Sequence, residues 1–282
     1  LLHKMRPGLV QLEIGVQSTN PDTITEIHRK MDFQKVAEIV RQINAGKNVH
    51  QHLDLIAGLP YEGLDSFQKS FDEVYAVRPE QLQLGFLKVL KGSYMAEHQE
   101  EYKMIHKDKP PYEVLSTKWL SYDDVLVLKS VEEMVETFYN SGQFGSTIEH
   151  LEQYFSSAFE MYCRMGRFYE EQGYHKRSHS RIGRYEILLE FIKTAVPEES
   201  LVFFQELLTF DLYLRENVKN RPAFAGDYTV EKEELFHLYD EVFPREEALA
   251  GYAGKHQRKM IHIEKFQYDI LSERKEKRET LI

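Results

Sequence analysis

The chain has 282 residues, with 46 Asp and Glu against 36 Lys and Arg, and its formal net charge is −10. Hydrophobic residues at 42% and charged residues at 29% sit in the globular range and argue against wholesale disorder. No apolar run approaches the roughly 20 residues that span a bilayer, and no secretory segment follows Leu1, so a cytoplasmic protein without a membrane role is expected. The single cysteine, Cys163, excludes an internal disulfide, a multi-cysteine zinc site and a cysteine-ligated iron–sulfur cluster built from this chain alone.

The first third alternates short apolar strands with amphipathic helices. Leu9 to Val16 (LVQLEIGV) has strand alternation, and a helix is predicted from Pro21 to about Lys30, with Asn20 as N-cap and Pro21 in the first helical position. A second helix, about Phe33 to Ala45, is capped by Asp32 and carries Val36, Ile39, Val40 and Ile43 as its apolar stripe. A strand follows at Val49–Ala57, closed by Gly58-Leu59-Pro60. Then come a helix over about Leu64–Val77 and a strand from Gln81 to Leu90. Strands separated by helices imply βαβ units and a parallel sheet, and three strands are part of a barrel rather than a closed one.

From about Ser121 helical patterns take over. One face carries Val125, Leu128, Val131, Val135 and Phe138. Further helical runs are predicted at about Ser146–Gln172, Ile182–Thr194, Glu198–Glu216 and Val230–Tyr239. Residues 258–270 revert to alternation and are read as a strand. The expected fold is therefore α/β, half of a partial TIM-type barrel with three parallel strands, followed by a mainly α-helical domain. The expected domains are 1–106 for the half barrel, 107–120 for a linker around Pro110-Pro111, and 121–282 for the helical part.

Charge follows this division. Residues 1–110 hold 14 basic and 15 acidic side chains, residues 111–250 hold 14 and 26, and residues 251–282 hold 8 and 5. An acidic middle argues against nucleic-acid binding, which needs clustered Lys and Arg. The basic run Arg274-Lys275-Glu276-Lys277-Arg278 interleaves acids and reads as a solvated tail.

Each predicted strand has one unusually polar face. Gln11, Glu13, Gly15 and Gln17 alternate with Val10, Leu12, Ile14 and Val16. His50, His52, Asp54 and Ile56 oppose Val49, Gln51, Leu53 and Leu55, and Gln81, Gln83 and Gly85 oppose Leu82, Leu84 and Phe86. Strands of an α/β fold are normally apolar on both sides, so three polar faces in succession point to a polar cavity. Ligands in such folds bind beyond the carboxyl ends of the strands, nearest Gln17, Ser18, Asp54, Gly58 and Lys88. His50-x-His52-x-Asp54 also has the one-sided spacing of metal ligands, with Glu13 as a further donor from the neighbouring strand; no metal ligand is assigned from this pattern alone.

Taken in order, Glu13-Ile14-Gly15-Val16-Gln17-Ser18, Ile27-His28-Arg29, His52-Leu53-Asp54-Leu55-Ile56-Ala57-Gly58-Leu59-Pro60 and Leu84-Gly85-Phe86-Leu87-Lys88-Val89-Leu90-Lys91-Gly92-Ser93 resemble the second half of a radical S-adenosylmethionine barrel over about residues 1–100. The resemblance is closest to the coproporphyrinogen-dehydrogenase-like and cobalamin-dependent branches. It implies that Gln17 and Asp54 hydrogen-bond S-adenosylmethionine, that Arg29 reaches its carboxylate, and that Ile56 lies against adenine. The backbone around Lys88 would close the other side, and Glu13 and His52 would face the same lumen. The later segments Thr117–Ser121 and Phe138-Tyr139-Asn140-Ser141-Gly142-Gln143-Phe144 resemble the helical domain that follows the barrel in cobalamin-binding radical proteins often labelled anaerobic magnesium-protoporphyrin IX monomethyl ester oxidative cyclase-like.

The departure from that family is the absence of its CxxxCxxC cluster motif. The chain is thus expected to be the C-terminal portion of a longer enzyme, inactive alone, with the four-iron four-sulfur cluster and cobalamin in an upstream part; a degenerate relative that lost its cluster is the alternative. The expected parent activity is cleavage of S-adenosylmethionine to a 5′-deoxyadenosyl radical for C–H activation. Oxidative cyclisation or methyl transfer on a small molecule, such as a tetrapyrrole, would follow. Two other classes stay open: a metal-dependent hydrolase using His50, His52 and Asp54, and a non-catalytic interaction module. An unpaired edge on the first strand would favour a homodimer.

Overall fold

The computed structural model describes residues 2–216, 218, 220–226, 231–242, 262–271 and 280–282. By internal contacts the chain divides into one unit of Leu1–Gly142 with Glu152–Ser178 and another of Gln143–Leu151 with His179–Ile282. In the first unit, β1 (Val10–Gln17), α1 (Pro21–Glu26), α2 (Phe33–Asn44), β2 (Val49–Ala57), α3 (Leu64–Tyr75) and β3 (Gln81–Phe86) follow one another. The strands form a parallel sheet in the order β1-β2-β3. The structure is thus the α/β arrangement of three parallel strands with helices, followed by a helical region.

The two faces of the sheet differ as alternation demands. In β2, Val49, Gln51, Leu53, Leu55 and Ala57 are buried, while His50, His52, Asp54 and Ile56 are half-buried. On the buried side lie Ala37 and Val40 of α2 and Phe67, Phe71 and Val74 of α3. The polar Gln51 is tolerated there because its Nε2 donates to Val40 O at 3.1 Å and to Asn44 Oδ1 at 2.5 Å.

Caps set the helix limits. Asn20 Oδ1 accepts from Asp22 N at 3.0 Å ahead of Pro21, and Asp32 Oδ1 accepts from Lys35 N at 3.3 Å. α1 ends at Glu26, four residues short of the predicted Lys30. There His28 adopts φ 58°, and the amides of His28 and Arg29 turn back onto Thr25 O and Ile24 O. That is a Schellman stop with histidine where glycine is usual.

β3 ends at Phe86, not at the predicted Leu90, because the chain changes partners. Leu87 N still donates to Ala57 O of β2, but Leu87 O accepts from Val114 N, Val89 N donates to Tyr112 O, and Lys88 bridges Glu113 in antiparallel fashion. After α4 (Tyr94–Glu97), β4 (Ile105–His106) pairs with β5 (Val114–Ser116), so residues 107–120 include a paired strand whose Val114 is fully buried.

The outer edge of β3 is sealed by side chains. Asn140 Oδ1 accepts from Leu82 N at 2.9 Å while its Nδ2 donates to Leu82 O at 3.0 Å, reproducing with one amide what a neighbouring strand would offer. Beside it, Tyr139 OH donates to Pro79 O. Both residues lie in a short π-helical turn at Glu136–Asn140 that extends α5 (Tyr122–Val135). The predicted apolar face of α5, including Phe138, is buried. α5 packs on α7 (Ala158–Glu171), and Gly166 permits the close approach, since a Cβ there would overlap Ser130 Oγ.

The helix predicted over residues 146–172 is two helices, α6 (Gly145–Leu151) and α7, separated by Glu152–Ser157. In the second unit, α8 (Arg181–Ala195) and α9 (Leu201–Arg215) bury Tyr185, Leu188, Ile192, Phe204, Leu207 and Leu208. Two carboxylates on α9 are buried for a backbone purpose. Asp211 accepts from Ser146 N, Thr147 N and Thr147 Oγ1 at 2.7–3.1 Å, capping the start of α6. Glu206 accepts from Gln267 N and Tyr268 N at 2.8 and 3.0 Å. α10 (Lys232–Val242) follows, and β6 (Lys265–Phe266) pairs with β7 (Thr280–Leu281). Of the strand predicted at 258–270, two residues are β6, and residues 258–261 lie outside the described residues. Among the described residues no helix is long and apolar enough to cross a membrane.

Asn140→Ala removes both hydrogen bonds to Leu82 and leaves its N–H without that partner. A loss of about 1–3 kcal/mol is expected. It would appear as a lower urea midpoint with an unchanged m-value.

Candidate functional site

The polar face of the sheet is continuous across the strands. The parallel register places Gln11 beside His50, Glu13 beside His52 and Gln81, Gly15 beside Asp54 and Gln83, and Ile56 beside Gly85. At its carboxyl end β1 stops alternating. The pairing shifts between Gly15 and Gln17, and Gln17 takes φ 69°, a left-handed conformation that costs a non-glycine residue about 1–2 kcal/mol. The irregularity turns the Gln17 amide over the sheet, where Nε2 reaches Asp54 Oδ2 in a long hydrogen bond of 3.4 Å.

Arg29 reaches the same spot from the end of α1, donating from Nη2 to Gly15 O at 2.9 Å. The missing side chain of Gly15 makes the room. A Cβ there would lie 2.7 Å from Gln17 Nε2 and 3.6 Å from both Arg29 Nη1 and Asp54 Oδ2. Three groups far apart in the chain thus converge on one small concavity containing an amide, a guanidinium and a carboxylate.

Asp54 is held above its ordinary pKa, first by burial. The Gln17 hydrogen bond and the charges of His52 and Arg29 pull it back, and Glu13 pushes it further up. Beyond it opens a cleft of about 380 Å³, lined by Asp54, Ile56, Gln83, Gly85, Phe86 and Lys88 among others. The structure therefore brings Gln17, Arg29 and Asp54 together and sets Asp54, Ile56 and Lys88 around one cleft. Glu13 stands further back along the floor, exposed, next to His52.

The histidines are engaged with each other and with the floor. His50 Nε2 and His52 Nε2 are 2.9 Å apart, so one donates and the other accepts, and Gln11 Nε2 lies 3.5 Å from His52 Nδ1. Among the described residues no group of three or more His, Cys, Asp or Glu is arranged to hold a metal ion. Cys163 lies on α7 with its thiol pushed up to about 11 by burial, which disfavours the thiolate that a metal would require.

A support behind the site escaped the sequence. Glu62, next to the Gly58-Leu59-Pro60 turn, is buried, and its Oε1 accepts from Ser18 Oγ at 2.6 Å and Ser70 Oγ at 3.1 Å. Ser70 Oγ in turn accepts from Thr19 N at 3.1 Å, and Ser18 Oγ accepts from Asn20 N at 3.0 Å. The network fixes residues 18–20 directly after Gln17. Glu62 Oε2 is buried with no hydrogen-bond partner, and burial pushes the group up to about 7. The only sequence signal was Ser18 itself, in the Gln17-Ser18 pair.

A raised folded pKa stabilises the fold below the ordinary value of 4.5, and this contribution is lost as pH rises through about 7. Wild type is therefore expected to lose up to about 3 kcal/mol relative to Glu62→Gln between pH 5 and pH 8. Urea unfolding of both proteins across that range measures it.

The model of a family described as "Protein of unknown function (DUF4080)" matches residues 100–282. No curated protein matches the chain. Among solved structures the chain is similar to coproporphyrinogen III oxidase (HemN) from Escherichia coli, described as a radical SAM enzyme, at 19% identity and a TM-score of 0.34. The match covers 46% of this chain and 27% of that one, so the chain spans about a quarter of that protein's length.

Proposed function

The chain belongs, through residues 100–282, to the family of proteins of unknown function DUF4080, and we propose that the α/β region ahead of those residues binds S-adenosylmethionine as part of a radical enzyme. The observation that carries the reading is the convergence of Gln17, Arg29 and Asp54 on the space over Gly15, with Asp54 also lining a cleft of a size that small ligands occupy. The same three residues stand at the positions to which the motif resemblance gives contacts with S-adenosylmethionine.

The chemistry of the donor set suits the ligand. A guanidinium presents paired N–H groups to a carboxylate, which matches the amino-acid end of S-adenosylmethionine. Asp54 accepts from hydroxyl or ammonium donors, and the Gln17 amide supplies both a donor and an acceptor. Ile56 and the Gly85 backbone, adjacent in register, make a flat apolar surface for an adenine ring, with Lys88 on the cleft wall. Glu13 and His52 are left to meet the substrate on the polar floor.

In a radical enzyme of this kind a four-iron four-sulfur cluster would supply the electron for reductive cleavage of S-adenosylmethionine, and the cleaved cofactor would supply the radical chemistry of C–H activation. The residues of this chain do not fit the cluster, because Cys163 is its one cysteine. The reading therefore assigns the cluster, and cobalamin if it is used, to sequence outside these 282 residues. What this chain contributes is positioning of S-adenosylmethionine and of the substrate. Oxidative cyclisation or methyl transfer on a small molecule, including a tetrapyrrole, is the finer form of the proposal.

Calorimetric titration of the purified chain tests it. S-adenosylmethionine is expected to bind, and Asp54→Ala to weaken it at least about tenfold by removing a charged hydrogen-bond acceptor. The affinity of wild type should also fall as pH drops through the raised Asp54 pKa, because protonation removes the charge that attracts the ligand's donors. No binding, or binding indifferent to Asp54→Ala, would contradict the reading.

A further inference from the structure

We infer that Glu26, His28, Tyr94 and Tyr102 form a clamp that positions Arg29 for the carboxylate of an amino-acid-bearing nucleoside ligand. The inference rests on the S-adenosylmethionine reading for the identity of the ligand and on the geometry of α1 for the clamp itself.

The turn that delivers Arg29 is strained. His28 sits at φ 58° in the position where a Schellman stop ordinarily has glycine, at a cost of about 1–2 kcal/mol for a residue with a Cβ. That conformation persists only where the surroundings over-determine it. Here the ring is held twice. His28 Nδ1 lies 2.8 Å from Glu26 O, and the imidazole packs edge-on against the Tyr94 ring with centroids 5.0 Å apart.

Glu26, the last residue of α1, fastens the same turn to the segment after β3. Its Oε1 accepts from Tyr94 OH at 3.0 Å and from Tyr102 OH, and the two phenol oxygens lie 3.3 Å apart. Tyr102 is buried against Trp119, and Tyr94 opens α4, capped by Ser93. The Tyr102 hydrogen bond holds the Glu26 carboxyl below its ordinary pKa, so the acceptor is charged at neutral pH. The next residue but one after His28's predecessor in the turn, Arg29, then has its amide fixed on Ile24 O and its guanidinium on Gly15 O.

These are positioning residues. The atoms nearest the space over Gly15 belong to Gln17, Arg29 and Asp54, and none of the four lines the cleft beside Asp54; each acts by holding the backbone from which Arg29 extends.

The test uses two ligands that share the 5′-thioadenosine portion: S-adenosylmethionine, a sulfonium, and 5′-methylthioadenosine, a neutral thioether that lacks the aminocarboxypropyl arm and its carboxylate, each compared with its own affinity for wild type. Glu26→Ala and the double variant Tyr94→Phe, Tyr102→Phe are expected to weaken S-adenosylmethionine by about tenfold, the scale of one charge-assisted contact, while 5′-methylthioadenosine changes by less than about twofold. Glu26→Gln keeps an acceptor oxygen for the two phenols and should stay within about threefold of wild type for both ligands. Hydrogen exchange supplies a readout independent of the ligand: in Glu26→Ala the amides of His28 and Arg29 should exchange at least about tenfold faster, with α3 unchanged.

Equal weakening of both ligands would mean a merely structural role and overturn the proposal, as would unchanged S-adenosylmethionine affinity or unchanged exchange at His28 and Arg29. If wild type bound neither ligand, the S-adenosylmethionine reading would fall, while accelerated exchange would still show that the clamp holds the turn.

Discussion

Where a β-strand stops alternating, one side chain is released from the pleat and can be aimed elsewhere. β1 does this between Gly15 and Gln17, and much of the site depends on it. Continued regular pairing would set Gln17 beside Ile56, whereas the shift sets it beside Leu55. The bulge and the left-handed Gln17 instead lay its amide toward Asp54. Glycine at position 15 is the other half of the constraint, because any side chain there would fill the space into which Gln17, Arg29 and Asp54 converge. The backbone costs of this arrangement are met by the buried network behind it, in which Glu62 holds Ser18 and Ser70, and Ser70 holds Thr19.

The sheet shows the same division of labour on a larger scale. Its apolar face packs on α2 and α3 and is buried with its one polar member, Gln51, hydrogen-bonded. Its polar face is a row of amides, imidazoles and carboxylates that face one another rather than a core. Such a face has value only if something polar meets it, and this is why the cleft beside Asp54, rather than the interior of the helical unit, is the candidate site. In that second unit the buried α9 carboxylates Asp211 and Glu206 accept from backbone N–H groups and serve the fold.

Much of this was legible in the sequence because it follows from local rules. Period-two alternation separated Asp54 and His52 from Leu53 and Leu55, and Asn20 and Asp32 announced the helix starts that the structure has. The features that were not legible depend on partners distant in the chain. β3 is shorter than its apolar run because Leu87 O and Val89 N turn to Val114 and Tyr112. The break between α6 and α7 falls at Glu152–Ser157, a stretch without Gly or Pro to mark it. α1 stops early at His28, where no glycine signals a stop, and Glu62 looks in sequence like a solvated turn residue although tertiary packing buries it. Part of the work of the Phe138–Phe144 motif is edge protection, since Asn140 substitutes for a strand beside Leu82.

The most direct measurement of the central claim is a crystal structure of the chain with S-adenosylhomocysteine, whose adenosine and amino-acid ends both survive without turnover. The account predicts the amino-acid carboxylate at the Arg29 guanidinium, donors of the ligand on Asp54, and the adenine ring against Ile56 and Gly85. Ligand density elsewhere on the molecule, or bound at the cleft without contact to Arg29 and Asp54, would contradict it.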